Sequence, residues 1–309
     1  MEYAIEINNV TKKFGDVTAV DNLSVKLPKG TICGFVGPNG AGKTTTIKML
    51  MGLIKPTSGE LFVNGVKVKS GLERKLHVGY LPDVPGFYDW MTAEQYLHFC
   101  GKLLQMDKED IRKRTAELLE RFGLSGVKTK IKGYSRGMKQ RLGIAQALIG
   151  DPSVVLLDKP ASALDPIGRK AIFDLILSLK GKVTVLFSTH IIADVERVCD
   201  TVLIMDKGVL KVNTEINELT AKQAEHIINM SVKGEDESIN TLVSTLENKE
   251  YIKSVGRNQN GIIQIVALDD MLAGREIPAL INEHSLALMN YNVQTRRLES
   301  IFLEVVSHE

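Results

Sequence analysis

The octapeptide Gly37-Pro38-Asn39-Gly40-Ala41-Gly42-Lys43-Thr44 constrains this chain more than any other stretch. It fits the pattern G-x-x-x-x-G-K-[ST], and each position of that pattern has a physical reason. Small residues let successive backbone N–H groups curl into a nest for anions. The run Thr45 to Leu50 is compatible with a helix that starts near Lys43, so its positive dipole end faces the same charge. Upstream, Thr31 to Val36 reads as a buried strand. A strand, a Gly-rich turn and a helix in that order form the context in which such a loop cradles nucleotide phosphates. The ammonium of Lys43 is expected to reach the β- and γ-phosphates, and the hydroxyl of Thr44 to hold Mg²⁺.

The flanking sequence agrees with this reading. Ser153 to Leu157 and Val183 to Phe187 are near-continuous apolar runs, as expected of parallel strands buried on both faces. Helical patterns at Met138 to Leu148 and Arg169 to Leu179 lie between or beside them, so the first two thirds of the chain reads as α/β with a largely parallel sheet. The strand at Val154 to Leu157 ends in Asp158, where a carboxylate suits Mg²⁺ beside a γ-phosphate. The net charge of +2 leaves no electrostatic footprint for nucleic acid, and none is expected as a partner. Cys33, Cys100 and Cys199 are widely spaced and read as three reduced thiols. The six histidines have no metal-ligand spacing. The N-terminal residues lack the apolar core of a signal peptide, and no apolar run approaches the ~18 residues of a membrane span. A chain like this that works on a membrane is expected to rely on another polypeptide for its spans.

Between the two phosphate-site motifs lies Tyr134-Ser135-Arg136-Gly137-Met138-Lys139-Gln140-Arg141, which resembles the signature segment of ATP-binding cassette (ABC) proteins in the variant of drug- and antibiotic-exporting members. Asp165 in Ala163-Leu164-Asp165-Pro166 is similar to the family's D-loop, Ser188-Thr189-His190 to its switch histidine, and Val78 to Asp83 to its Q-loop. The resemblance covers roughly residues 3 to 212. It implies a P-loop NTPase fold of the ABC ATPase type, with ATP and Mg²⁺ as cofactors. By this resemblance ATP binding falls to Phe14, Gly37, Pro38, Asn39, Gly40, Ala41, Gly42, Lys43, Thr44 and Thr45 in one subunit, with Phe14 stacking on adenine. Ser135 and Gly137 would complete the site of a second cassette packed head to tail, homologous or identical. Metal binding would fall to Thr44, Asp158 and Asp83, and His190 would contact the γ-phosphate. The implied location is cytoplasmic, peripheral on the inner face of the cell membrane, against a polytopic permease. The segment Asp83 to Leu104, rich in aromatics, is either a surface for that permease or ordinary helical core.

The resemblance breaks at Lys159. The family has a glutamate after the strand-end aspartate, where it polarises the attacking water. A protonated lysine has only donors and takes no proton from water. The expectation is retained ATP binding with slow turnover. Asp83, where the family usually has Gln, or in some exporters Glu, is a candidate to pair with Lys159 or to activate water itself. Ala161 and Ala163 stand where Thr and Gly are frequent in the family.

After about residue 212 the character shifts. Asn213 to Gln223 is polar and reads as a linker. Beyond it, strand and helix signals follow the order β-α-β-β-α-β, that of a ferredoxin-like α+β unit. Asn258-Gln259-Asn260-Gly261 marks a hairpin, a weaker helix covers Ile277 to Ile281, and Leu298, Ile301, Phe302 and Val305 mark a closing amphipathic helix. The expected organisation is a nucleotide-binding domain at 1–215 and an accessory or regulatory domain at 216–309. Two functions compete: the energising subunit of an exporter, and a non-transport ABC module that regulates or associates with translation. A P-loop kinase predicts no signature segment, and Ser135 to Arg141 argues against it.

Overall fold

The computed structural model describes residues 2–69, 77–162, 164–216, 218, 226–258 and 261–295. The chain divides into two compact units, Met1–Ile216 and Asn217–Glu309.

In the first unit, the apolar runs form a sheet in the order β10-β9-β3-β8-β7-β6. Five of its strands are parallel: β3 (Ile32–Val36), β6 (Val78–Leu81), β7 (Val154–Asp158), β8 (Thr184–Thr189) and β9 (Thr201–Asp206). Every residue of β3, β7, β8 and β9 is buried, which is why these segments read as uninterrupted hydrophobic runs. A second, antiparallel sheet pairs β1 (Tyr3–Phe14), β2 (Val17–Pro28), β4 (Ser58–Val63) and β5 (Val66–Lys67). The helix α1 (Lys43–Leu50) buries Ile47, Met49 and Leu50 in a core shared with both sheets.

The remaining helices are α2 (Ala93–Leu103), α3 (Lys108–Arg121), α4 (Arg136–Leu148), α5 (Pro166–Leu177) and α6 (Ile192–Val198). Their starts follow capping chemistry. Thr92 and Gln95 form a capping box on α2, with the Thr92 hydroxyl accepting the Gln95 N–H at 3.2 Å and the Gln95 side chain accepting the Thr92 N–H at 3.0 Å. Asp165 caps α5 by accepting the Gly168 N–H at 3.1 Å, with Pro166 in the first turn.

One expectation fails here. Asn213 does not begin a linker: β10 (Val209–Glu215) runs through it and pairs antiparallel with β9 out to Glu215. The strand lies at the sheet edge and alternates exposed with half-buried residues, so its polar residues are those of an edge rather than of a linker.

Among its described residues the second unit is a four-stranded antiparallel sheet with two helices. In chain order it contains β11 (His226–Lys233), α7 (Asp236–Glu247), β12 (Ile252–Arg257), β13 (Ile263–Ala267), α8 (Asp270–Glu283) and β14 (Ala287–Thr295). The strand order β12-β13-β11-β14 is that of a split β-α-β sheet. Its core gathers Ile228 and Met230 of β11, Ile239, Leu242 and Leu246 of α7, and Ala273, Ile277 and Ile281 of α8. The hairpin closes through Asn258, whose side chain accepts the Ile262 N–H at 3.0 Å; Gln259 and Asn260 lie outside the described residues. The helix signalled only at Ile277 to Ile281 is 14 residues long and contains Pro278. Proline removes a helical donor and blurs the sequence pattern, while Asp269 starts the helix by accepting the Leu272 N–H at 2.9 Å. Leu298 to Val305 lie outside the described residues.

Leu242 is fully buried between the α7 and sheet surfaces of this unit. Leu242→Ala is expected to destabilise the unit by about 2–5 kcal/mol. Asn240→Ala, on the exposed face of the same helix, should change stability by less than about 0.5 kcal/mol. Urea unfolding followed by circular dichroism separates the two.

Candidate functional site

The register of the parallel sheet brings four strand ends together. Val36 at the end of β3 pairs with Thr189 of β8, Ser188 of β8 with Asp158 of β7, and Leu157 of β7 with Leu81 of β6. The loop Gly37–Thr44, the pair Asp158–Lys159, the segment Ser188–His190 and Asp83 therefore all lie beyond the carboxyl ends of adjacent strands. Ligands of open α/β sheets bind in this position.

The loop is tight because of what packs against it. A Cβ on Gly37 would sit 2.1 Å from the Met205 carbonyl oxygen. Gly42 has φ +103°, and a Cβ there would sit 2.4 Å from the Ala19 carbonyl oxygen. Only glycine meets both demands at position 42. The loop closes on its own lysine: Lys43 Nζ donates to the carbonyls of Gly37 at 2.7 Å and Pro38 at 2.8 Å. Burial pulls this ammonium down to about 8, with the Lys159 charge adding to the depression and Asp158 opposing it.

Asp158 is the node that ties the strand ends together. Its Oδ1 accepts from Thr44 Oγ1 at 3.1 Å and from Ser188 Oγ at 2.5 Å. Ser188 Oγ in turn accepts the Lys159 N–H at 2.9 Å. Lys159 itself has φ +48°, so the chain reverses sharply as it leaves the strand. Gln140 of α4 holds the far side of that reversal, its Nε2 donating to the Pro160 carbonyl at 2.9 Å. The Lys159 ammonium donates to Asp83 Oδ2 at 2.9 Å, and both side chains remain about a third exposed, at 28% and 35%.

The other candidates fall in three places. Ser135 is the N-cap of α4: its exposed hydroxyl accepts the Met138 N–H at 3.2 Å, and Gly137 lies in the first turn beside Leu164. Phe14 ends β1 with its ring half exposed and the Lys12 ammonium 4.8 Å from the ring centre. Its hairpin partner β2 contributes the Ala19 carbonyl that abuts Gly42. His190 is exposed and lines a cleft of about 220 Å³ together with Lys159, Ser188 and Asp194. Ala161 lines the same cleft, and Ala163 is outside the described residues. Asp194 accepts two bonds of 2.7 Å from Arg169 and one of 3.2 Å from Thr189, whose hydroxyl accepts the Ile191 N–H at 3.0 Å. This network brackets His190 on both sides and anchors it to the helix capped by Asp165. Arg169 and Asp194 carry no motif of their own, and sequence reading missed them; Gln140 and Ser188 lie inside motif segments, but sequence reading gave neither a role of its own. Gln140 leaves a faint signal, a polar residue on a buried helix face.

The aromatic segment after Asp83 divides between both expectations. Met91, Tyr96 and Leu97 are buried. Tyr88 and Trp90 are exposed at 48% and 63%, and Tyr88 is held edge-on against Phe99 at 5.3 Å. An apolar shelf of this kind suits a partner more than solvent. Among the described residues no helix is long and apolar enough to cross a membrane, and no cluster of three or more metal-ligating side chains occurs.

Residues 20–162 match the ABC transporter family. Over 98% of this chain, an uncharacterized ABC transporter ATP-binding protein of Bacillus subtilis, YxlF, is 39% identical, with 99% of that protein covered. The bacitracin transport ATP-binding protein BcrA of Bacillus licheniformis is 34% identical, covering 99% of this chain and 98% of that one. The linearmycin resistance ATP-binding protein LnrL of B. subtilis is 31% identical, with 97% of each chain covered. Among solved structures, an ATP-binding subunit of an ABC transporter superposes with a TM-score of 0.64 at 27% identity, over 71% of this chain and 92% of that one. A dimeric ATP-binding cassette in a post-hydrolysis state, bound to ADP and Pi, gives 0.62 at 26% identity, over 69% and 98%.

Two outcomes follow from the loop geometry. Gly42→Ala should abolish measurable ATP binding by titration calorimetry while leaving the second unit's fold intact, because the Cβ collides with the Ala19 carbonyl. The sequence expectation is that Lys43 contacts phosphate as its ammonium. ATP affinity should therefore be full below pH about 8 and fall as pH rises through it. Lys159→Met removes a like charge, so the midpoint of that fall, measured in Mg²⁺, should move upward.

Proposed function

The chain belongs to the ATP-binding proteins of ABC transporters, and we propose that it energises an exporter by coupling ATP binding to substrate movement through a separate membrane permease. The observation that carries this reading is the joint placement of Lys43, Thr44 and Asp158 at the strand ends, with Ser135 exposed at the start of α4. The names of the bacitracin and linearmycin relatives point to antibiotic-like substrates for those proteins, and the same class is the proposal here.

The residues fit the groups they would hold. The loop offers backbone donors and a buried ammonium already satisfied by carbonyls that a phosphate would replace. Thr44 and Asp158 present a hydroxyl and a carboxylate 3.1 Å apart, the hard oxygen set that suits Mg²⁺ when phosphates complete the shell. When bound, Mg²⁺ supplies charge neutralisation between the β- and γ-phosphates. Lys43 orients those phosphates, and Phe14 offers a ring face for adenine. Ser135 accepts the Met138 N–H, so its own proton is the one to donate to ATP held by a second cassette. Asp194 ties down Thr189, which holds the Ile191 N–H, so the backbone on either side of His190 is fixed and His190 is the proposed contact to the γ-phosphate. ATP then favours the closed pair of cassettes over the open one, and that difference in affinity is what moves a permease. Tyr88 and Trp90 are the proposed permease contact, and the inner face of the membrane is the proposed location. The C-terminal unit is assigned an accessory or regulatory part.

Hydrolysis is the weak step of this reading. Lys159 occupies the position of the water-polarising glutamate and spends its ammonium on Asp83. Loss of a positioned base costs roughly 10²–10⁴-fold in rate. Steady-state phosphate release by the wild type should accordingly be slow. Because a glutamate at 159 would face Asp83, the informative variant is Lys159→Glu combined with Asp83→Gln, which should raise kcat roughly 10²–10⁴-fold. Fast wild-type turnover that is indifferent to this double change would overturn the slow-site reading. Failure of a polytopic membrane protein to copurify with the chain would overturn the transporter assignment.

A further inference from the structure

We propose that Lys159 is a built-in counter-cation for the γ-phosphate, parked on Asp83 and transferred when ATP arrives, so that this cassette holds ATP with little dependence on Mg²⁺. The inference rests on the reading of the Gly37–Thr44 loop and Asp158 as an ATP site and concerns only how its charge is neutralised.

Position comes first. Lys159 follows Asp158, whose carboxylate bonds Thr44, the neighbour of Lys43. Its side chain lines the cleft shared with Ser188 and His190. The backbone at 159 is fixed on both sides: its N–H donates to Ser188 Oγ at 2.9 Å, and the next carbonyl, that of Pro160, accepts from Gln140 at 2.9 Å. Freedom at this position is therefore confined to the side chain, a four-carbon stem with three donors on its head.

The partner of that head is exchangeable. The Lys159–Asp83 pair is a single 2.9 Å contact with both side chains about a third open to solvent, at 28% and 35%. Pairs of that kind contribute little. A γ-phosphate brings more negative charge and more acceptor oxygens than one carboxylate, and it competes for the same ammonium.

The carboxylates complete the argument. Magnesium sites built with phosphates use one or two carboxylates of the protein. Asp83 is engaged by an ammonium, and Asp158 Oδ1 already receives hydroxyl donors from Thr44 and Ser188. One carboxylate is thus shared, and the ammonium released by the other brings positive charge to the γ-phosphate where the metal otherwise would. A lysine ammonium beside Asp158 also disfavours a divalent ion there. Both effects shift the neutralisation of ATP from metal to protein.

The test is ATP and ADP affinity of the full chain by titration calorimetry, in Mg²⁺ and in excess EDTA. Wild type should lose no more than about tenfold in ATP affinity on removal of the metal. Lys159→Met should bind ATP at least about tenfold more weakly than wild type in EDTA and show a smaller change in Mg²⁺, with ADP binding in EDTA unaffected. Lys159→Arg should retain the wild-type pattern, which separates lost charge from lost folding. Asp83→Asn removes the competitor and should tighten ATP binding in EDTA. Opposite signs for Lys159→Met and Asp83→Asn would support the transfer. Equal sensitivity of wild type and Lys159→Met to EDTA, or changes of the same sign in both variants, would overturn it with the ATP site left standing. No ATP binding even in Mg²⁺ would overturn the reading of the site and this inference together.

Discussion

The carboxylate of Asp158 holds the first unit's chemistry in one place. It terminates the most deeply buried strand of the parallel sheet and accepts hydroxyl bonds from Thr44 on α1 and Ser188 on β8. Without that node, the phosphate loop, the strand-end reversal at Lys159 and the segment leading to His190 would be three separate loops. A buried carboxylate has to find such donors, because an unpaired charge inside a protein is costly. The same demand that satisfies Asp158 therefore aligns the groups around a nucleotide.

Around this node the chain departs from its family in charge rather than in shape. The fold matches that of a solved ATP-binding subunit, yet the side chain that follows Asp158 is cationic. Asp83 answers it across the cleft. Two substitutions that look like separate defects in the sequence form one ion pair in three dimensions. The pair keeps the local charge close to that of a site with neutral side chains at both positions, and a cleft with excess positive charge is avoided. The groups proposed to hold phosphate lie together around Asp158, and the residue that follows it carries a cation.

Much of the architecture was legible because burial on both faces leaves an unmistakable apolar run, as in β3, β7 and β8. The second unit was legible in its order of elements for a different reason. Its strands cover one core, so apolar residues alternate or recur at helical spacing. Legibility failed where two roles overlap in one segment. β10 is an edge strand, and its polar outer residues look like a linker. α8 contains Pro278, which masks a helix that its Asp269 cap and buried Ala273, Ile277 and Ile281 nonetheless support.

By itself, the sequence determined that nucleotide phosphates have a cradle here, since glycine spacing, lysine and threonine are local properties of eight consecutive residues. It also determined the β-α-β-β-α-β order of the second unit and the presence of a lysine directly after Asp158. Only the tertiary structure decided what Lys159 does with its charge. Its partner, Asp83, lies 76 positions away along the chain and meets it because β6 and β7 are parallel neighbours. Strand order also decided that Ser188 links Asp158 to Lys159, and that Arg169 and Asp194 bracket His190. Contacts of this kind depend on which strands lie side by side, and no pattern along a single chain segment records that.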